Sequence, residues 1–314
     1  MIPLSPRESV SLLLFGLAIL AICGLEIGVL VRAVYRRSKG RSARRILLAV
    51  PAIVLHLLLV TVLGCMLYAY FIEPNWIEVH SLTLHTPKLK AETFRIVQIS
   101  DLHCDVAQRN EERAVQIING LKPDVVVATG DYLNHKAGLP RLRQMLCRFE
   151  APLGKFAVTG NFEVLRWRDL NVLAESTFRT LERETVVVTK GQDAIAVTGA
   201  GYFPADVPSD PIGGFSDDRF DLFLFHTPDL IEDVSHRGVD LYLCGHTHGG
   251  QICLPWYGAL ITFSKFGKKY ESGMHRVGDT VLYVNRGLGM EPRPAPQMRF
   301  LARPQIVVVD VCPQ

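Results

Sequence analysis

Hydrophobic positions along the chain fall into two regimes. Residues 10–31, VSLLLFGLAILAICGLEIGVLV, carry a single charge, Glu26, and residues 46–72, ILLAVPAIVLHLLLVTVLGCMLYAYFI, carry none. Roughly 20 apolar residues span a bilayer core as a helix, so each run is long enough. Neither keeps the polar stripe of a helix that borders a soluble core. The pair predicts a transmembrane helical hairpin. A cleaved leader would explain only the first run, and no clear small-x-small cleavage site accompanies it.

From residue 94 the pattern changes to short apolar runs alternating with amphipathic stretches. FRIVQIS, DVVVATG, GKFAVTG, ETVVVTK, AIAVTGAGY, DLFLFH, VDLYLCG, TVLYVNRG and PQIVVVD read as strands. EERAVQIINGLK predicts a helix with Ala114, Ile117, Ile118 and Leu121 on one face, and LPRLRQMLCRF and DLIEDVSHRG predict two more. Strands alternating with helices argue an α/β domain, and the later strand-only stretches argue a second sheet. The expected organisation is a membrane anchor over 1–72, a linker over 73–84 and a folded domain over 85–314. There is no internal repeat and no low-complexity segment.

Charge adds an orientation. Between the apolar runs, RAVYRRSKGRSARR holds seven basic residues and no acid, whereas the flank before the first run has one basic residue, Arg7. The positive-inside rule puts this loop in the cytoplasm and everything after residue 72 outside it. Residues 1–72 hold eight basic and two acidic residues, so of the chain's net +3 the remainder carries −3. That balance argues against nucleic acid as a partner. A local basic cluster, SKFGKKY (264–270), reads as a solvated loop or as a contact for phosphate or lipid headgroups. Seven cysteines, an odd number without framework spacing, predict no disulfides. Free thiols sit less easily with an external domain. No protein partner is inferable.

Polar residues recur where the strands end. QISDLH brings Asp101 and His103, VVATGD brings Asp131, AVTGN brings Asn161, LFLFH brings His226, and YLCGHTH brings His246 and His248. In open α/β sheets ligands bind in the crevice beyond the carboxyl ends of the strands, so seven metal-capable side chains converge on one place. A lone Asp-x-His or Gly-Asp means little, because such pairs are common in turns. The Gly-His-Thr-His of 245–248 is more selective, since neutral imidazole is the commonest metal ligand. Two divalent ions about 3.5–4 Å apart can clamp a phosphoryl group and activate a bridging water. Carboxylate, amide and imidazole donors suit Mn²⁺, Fe²⁺ or Zn²⁺. Cys104 and Cys244 adjoin the donors and read as packing residues.

The motifs SDLH, GHTHGGQ, LPWYGA, KFGKKYESG and NRGLG resemble those of the calcineurin-like metallophosphoesterases, in their membrane-anchored bacterial branch, over about residues 92–310. The resemblance implies an α/β fold in which two β-sheets pack face to face between flanking helices, with two divalent metal ions above them. Carried over by motif, Asp101, His103, Asp131 and His248 would hold one ion. Asp131, Asn161, His226 and His246 would hold the other, with Asp131 bridging. Turnover would depend most directly on Asp131, Asn161 and His246. The implied reaction is hydrolysis of a phosphoester or pyrophosphate bond. The hairpin favours a lipid-linked or surface substrate by effective concentration. One subgroup that the chain resembles cleaves UDP-diacylglucosamine in lipid A synthesis, on the cytoplasmic side.

One motif departs from that pattern. The usual sequence is Gly-Asn-His, whose histidine contacts the phosphoryl oxygen and helps protonate the leaving group in similar enzymes. Here it is GNFE, with Phe162 in that place. Loss of a general acid typically costs about 10²–10⁴-fold. Three readings follow. The substrate has a leaving group that needs no proton, such as a pyrophosphate-linked nucleotide or an aryl phosphate; or Glu163 or His135 substitutes; or the protein binds metal and phosphate without turnover.

Overall fold

A capping box starts the first helix. Ser5 Oγ accepts from the Glu8 backbone N–H at 3.3 Å, and the Glu8 carboxylate accepts from the Ser5 N–H at 2.9 Å, with Pro6 at the first helical position. The computed structural model describes residues 4–203, 215, 216, 218–293 and 295–314. Its contacts divide the chain into two units, Met1–Ile72 and Glu73–Gln314.

In the first unit α1 (Pro6–Ser38) and α2 (Arg44–Leu47) lead to α3 (Val50–Leu67), which continues through a π turn over Tyr68–Ile72. Pro6–Ser38 and Val50–Asn75 are both long and apolar enough to cross a membrane. At 1.5 Å per residue α1 is about 50 Å long. Its leucines face outward, Leu20 being 68% exposed. An exposed surface this apolar marks the helix as a candidate membrane span. Across the hairpin, Glu26 Oε1 of α1 lies 2.8 Å from His56 Nδ1 of α3, so each polar group offsets the cost of placing the other among apolar side chains.

The second unit runs β1 (Glu78–Thr86), β2 (Phe94–Ile99), α4 (Glu111–Gly120), β3 (Val125–Thr129), α5 (Leu139–Cys147), β4 (Gly154–Val158), α6 (Asn161–Leu165), β5 (Arg179–Thr180), β6 (Glu184–Lys190), β7 (Asp193–Gly199), β8 (Phe220–Leu224), α7 (Ile231–Val234), β9 (Leu241–Cys244), β10 (Cys253–Leu254), β11 (Gly258–Ala259), β12 (Gly273–Val277), β13 (Thr280–Val284) and β14 (Gln305–Pro313). One sheet has the order β1-β14-β2-β3-β4-β5, the other β12-β13-β9-β8-β7-β6, and β10 and β11 form a separate hairpin.

Period-two alternation builds the layers. Phe94 and Ile96 of β2 join Val125 and Val127 of β3 in a core shared with Ile195, Leu222, Leu224, Leu241 and Leu243 of the other sheet. The opposite positions, Val97, Ile99 and Val126, pack under Ala114, Val115 and Ile118 of α4 and Leu142 and Leu146 of α5. On the far side Phe223, Tyr242 and Leu282 pack with Ile231 and Val234 of α7. The result is two sheets face to face with helices outside, as the α/β reading expects.

The stretch 73–84 differs from a linker. Glu73–Asn75 is a 3-10 turn and β1 follows, paired parallel to β14 from Glu78↔Gln305 to Thr86↔Pro313. EVHSLTLHT alternates, with Leu82 and Leu84 leaning on the core between the sheets while His80, Ser81, Thr83 and His85 face solvent. An edge strand of this composition looks like connecting chain because only two of its side chains are apolar and inward.

Candidate metal centre

Parallel strands of both sheets end at the same place. β2 delivers Asp101 and His103, β3 delivers Asp131, and β4 delivers Asn161 as the first residue of α6. From the other sheet β8 delivers His226 and β9 delivers His246 and His248. All seven are buried. Five of them, Asp101, His103, Asp131, His246 and His248, have φ between 42° and 71°. Left-handed backbone costs an L-residue roughly 1–2 kcal/mol and persists where the surroundings impose it, commonly at functional sites. A side chain at Gly160 would run into Asp131, and one at Gly245 into Ser100 and Asp101. Glycine is therefore required at both.

The donors form two clusters. In one, His103 Nε2 and His248 Nε2 are 3.1 Å apart, and Asp101 Oδ1 lies 3.7 Å from His248 Nε2. In the other, His226 Nε2 lies 2.8 Å from Asn161 Oδ1, 3.1 Å from His246 Nδ1 and 3.3 Å from Asp131 Oδ2. The same Asp131 oxygen is 3.9 Å from His103 Nε2, so it faces both clusters.

Hydrogen-bond partners assign the tautomers. Asn134 Nδ2 donates to the Met290 carbonyl at 3.0 Å, which turns its Oδ1 toward His103 Nδ1 at 2.6 Å. His103 Nδ1 therefore carries the hydrogen. His226 Nδ1 donates to the Thr129 carbonyl at 2.7 Å, and His246 Nε2 to that of Phe263 at 3.3 Å. The inward nitrogens of all three are then lone pairs when the rings are neutral. Lone pairs and carboxylates converging on one buried point repel unless a cation lies between them. That is the chemistry of a metal site, and the donor set fits two divalent ions.

The electrostatics agree. Burial lowers His103 and His246 to about 4 and takes His248 well below its usual range, which keeps these imidazoles neutral. Burial acts the same way on His226, but Asp131 and Asp101 outweigh it and push that residue up to about 10. Burial raises Asp101 to about 7. Burial also opposes the charge on Asp131, yet His226 holds its carboxyl at about 2. Without a cation, a protonated His226 ring is the charge that balances these carboxylates, a role that a bound divalent ion would take over.

Phe162 sits against the first cluster, its ring edge-on to His103 at 4.9 Å between centroids, while its N–H donates to Asp131 Oδ1 at 2.9 Å. Neither substitute acid named from sequence proximity is placed to act. The Glu163 carboxylate is buried and accepts backbone N–H groups from Asp131, Tyr132 and Gly160 at 2.8–3.0 Å. His135 is exposed and caps a 3-10 turn through Ala137 N–H. Cys104 and Cys244 are buried thiols pushed up by burial.

Three residues around the donors escape sequence reading. Asn134 fixes His103, and it lies only three residues past Asp131. Glu291, pushed up to about 8 by burial, places Oε1 3.7 Å from His248 Nε2. Arg299 is wholly buried, donates to the carbonyls of Arg286, Gly289 and Ala302, and lies 3.3 Å from His248 Nδ1. No spacing or motif marks the last two.

Residues 94–250 match the family model described as calcineurin-like phosphoesterase. The chain is 34% identical to the metallophosphoesterase YkuE of Bacillus subtilis, covering 77% of this chain and 87% of that one. It is 30% identical to the UDP-2,3-diacylglucosamine pyrophosphatase LpxG of Chlamydia trachomatis, over 77% and 91%. It is 26% identical to the phosphodiesterase YaeI of Escherichia coli, over 78% and 92%.

Proposed function

The chain belongs to the calcineurin-like phosphoesterase family, hydrolases of phosphoester bonds with a dinuclear divalent metal centre, and from that premise we propose a membrane-tethered enzyme that splits a pyrophosphate or an activated phosphodiester in a lipid-linked substrate. The observation that supports the two-metal reading most is the single Asp131 oxygen facing both donor clusters. Asp101, His103, Asp131 and His248 would hold one cation, and Asp131, Asn161, His226 and His246 the other. Two divalent cations there would supply charge against the phosphoryl oxygens and acidify a water at neutral pH.

The chain's own residues set the frame. Glu163, by gripping the amides of Asp131, Tyr132 and Gly160, fixes the backbone that aims Asp131. Asn134 holds the His103 ring. Phe162 walls the first cluster with an apolar ring in place of a proton donor. A leaving group that departs as a stable anion, such as a nucleoside monophosphate or an aryl oxide, needs no such donor.

The test is a series of phosphodiesters and pyrophosphates of graded leaving-group acidity, hydrolysed by the full chain with Mn²⁺ or Zn²⁺. Rates should fall steeply as the leaving group becomes more basic. A flat series would overturn this substrate class. Absence of hydrolysis of bis-p-nitrophenyl phosphate, with activity gained on Phe162→His, would instead indicate a metal- and phosphate-binding protein.

A second reading is favoured by the LpxG relative: pyrophosphate hydrolysis of UDP-diacylglucosamine. It needs the domain on the cytoplasmic side, whereas the basic loop between the apolar helices favours the outer side. A carboxyl-terminal alkaline phosphatase or fluorescent protein fusion separates the two, since the first is active only outside and the second only inside.

A further inference from the structure

The hairpin of β10 and β11 ends in a turn that folding alone does not explain. Leu254, Pro255, Trp256 and Tyr257 form it, closed by Tyr257 N–H to the Leu254 carbonyl at 3.2 Å. Proline suits the second position. The third takes positive φ, where glycine or asparagine is usual. Trp256 stands there at φ 60° with its side chain fully exposed, at 105% of the reference area. The backbone is strained, and the largest apolar side chain type gains no packing in return. Tyr257 beside it is also exposed, with Lys268 Nζ 4.3 Å from its ring centroid.

The root of this hairpin is bonded to the place where the chain enters the second unit. Cys253 N–H donates to the Phe300 carbonyl at 2.8 Å, and Phe300 N–H to that of Gln251 at 3.0 Å. The next two residues, Leu301 and Ala302, donate their N–H groups to the buried Glu73 carboxylate. Glu73 directly follows Ile72, the end of the second apolar run. Summed over these contacts, Trp256 lies within about 25 Å of Glu73 by chain geometry. It also follows His248 by only eight residues.

Charge does not account for the tip. Lys265, Lys268 and Lys269 of the basic cluster are each paired with an acid, Asp233, Glu271 and Glu232. What remains is an amphipathic aromatic pair on a fixed turn, linked through these hydrogen bonds to Glu73, the residue that follows an apolar span. Tryptophan and tyrosine favour the headgroup level of a bilayer, where the ring is buried and its polar atom stays wet.

We propose that Trp256, with Tyr257, is a wedge that beds in the bilayer–water interface and keeps the loop carrying His246 and His248 at the lipid surface. This deepens the lipid-linked reading above and rests on the membrane reading of the apolar helices. The full chain is reconstituted in phosphatidylcholine vesicles with and without brominated acyl chains, and the emission of Trp256 is taken as the difference between wild type and Trp256→Phe. That difference should be blue-shifted, lose most of its intensity to lipid bromine, resist aqueous iodide, and stay so in 1 M salt, on the order expected to screen surface charge to about 3 Å. A difference spectrum quenched by iodide and indifferent to lipid bromine would overturn the wedge, as would its loss at high salt. Failure of the membrane reading itself is separately visible, because the chain would then fail to float with the vesicles after a carbonate wash.

Discussion

Asp131 concentrates the demands of the site on one residue. Its oxygen faces two clusters, its backbone is held at φ 54° by the carboxylate of Glu163, and it is buried. Asp131→Asn should therefore lose metal and turnover together, by more than about 10³-fold in rate if both ions leave; metal analysis beside the assay checks this. Asn161→Ala should do the same for the second cluster. Asn134→Ala should spare the donors but free the His103 ring, weakening metal affinity by about 10–100-fold in a chelator titration. Phe162→His should raise hydrolysis of esters with basic leaving groups by about 10²-fold or more and leave aryl substrates nearly unchanged. The seven candidates were legible because each lies at or just past a strand's end, four of them (Asp131, Asn161, His246 and His248) beside a glycine. Arg299 and Glu291 were not, since they reach the site from an irregular loop, where burial and direction come only from the folded whole.

At the scale of elements, the strands carry the reading and their edges resist it. A central strand such as β3, VVVAT, is apolar on both faces and announces itself. β1 shows a half-exposed alternation that sequence cannot tell from connecting chain until β14 is seen beside it. The turn between β1 and β2 is tied to β7 by Asp193, whose carboxylate accepts the N–H groups of Lys90, Ala91 and Glu92 at 2.7–2.9 Å. These amides hold its carboxyl below the usual carboxylate range. The folded state thus binds this proton less readily than the unfolded one. Its contribution is complete above about pH 4, the unfolded value for aspartate, and fades as pH falls through the lowered folded value. Asp193→Asn should lower the melting temperature at neutral pH, with the gap to wild type closing in acid. In the first unit Glu26→Gln and His56→Gln should each destabilise the helix pair, and the double variant should cost less than the sum of the two.

For the molecule as a whole, each candidate donor cluster draws on both sheets. Asp101, His103, Asp131 and Asn161 belong to one, and His226, His246 and His248 to the other. Chelation should lower the melting temperature, because the buried Asp101 and Asp131 carboxylates lose their counter-charge. A ligand at a hundredfold excess over its Kd adds about 2.7 kcal/mol, so re-addition of metal should raise the midpoint in proportion to the logarithm of its concentration. An unchanged midpoint would mean that the clusters hold no ion.

This division also has a meaning for biogenesis. A nascent polypeptide would expose its first four donors while the remaining three, 65 or more positions further on from Asn161, had yet to be made. Neither portion alone brings a full candidate cluster together, so any loading of metal there would wait until synthesis had passed residue 248 and the two sheets had closed on each other. An ion bound there would work as a clasp fastened last, and an apo chain caught open would be the form most vulnerable to proteases.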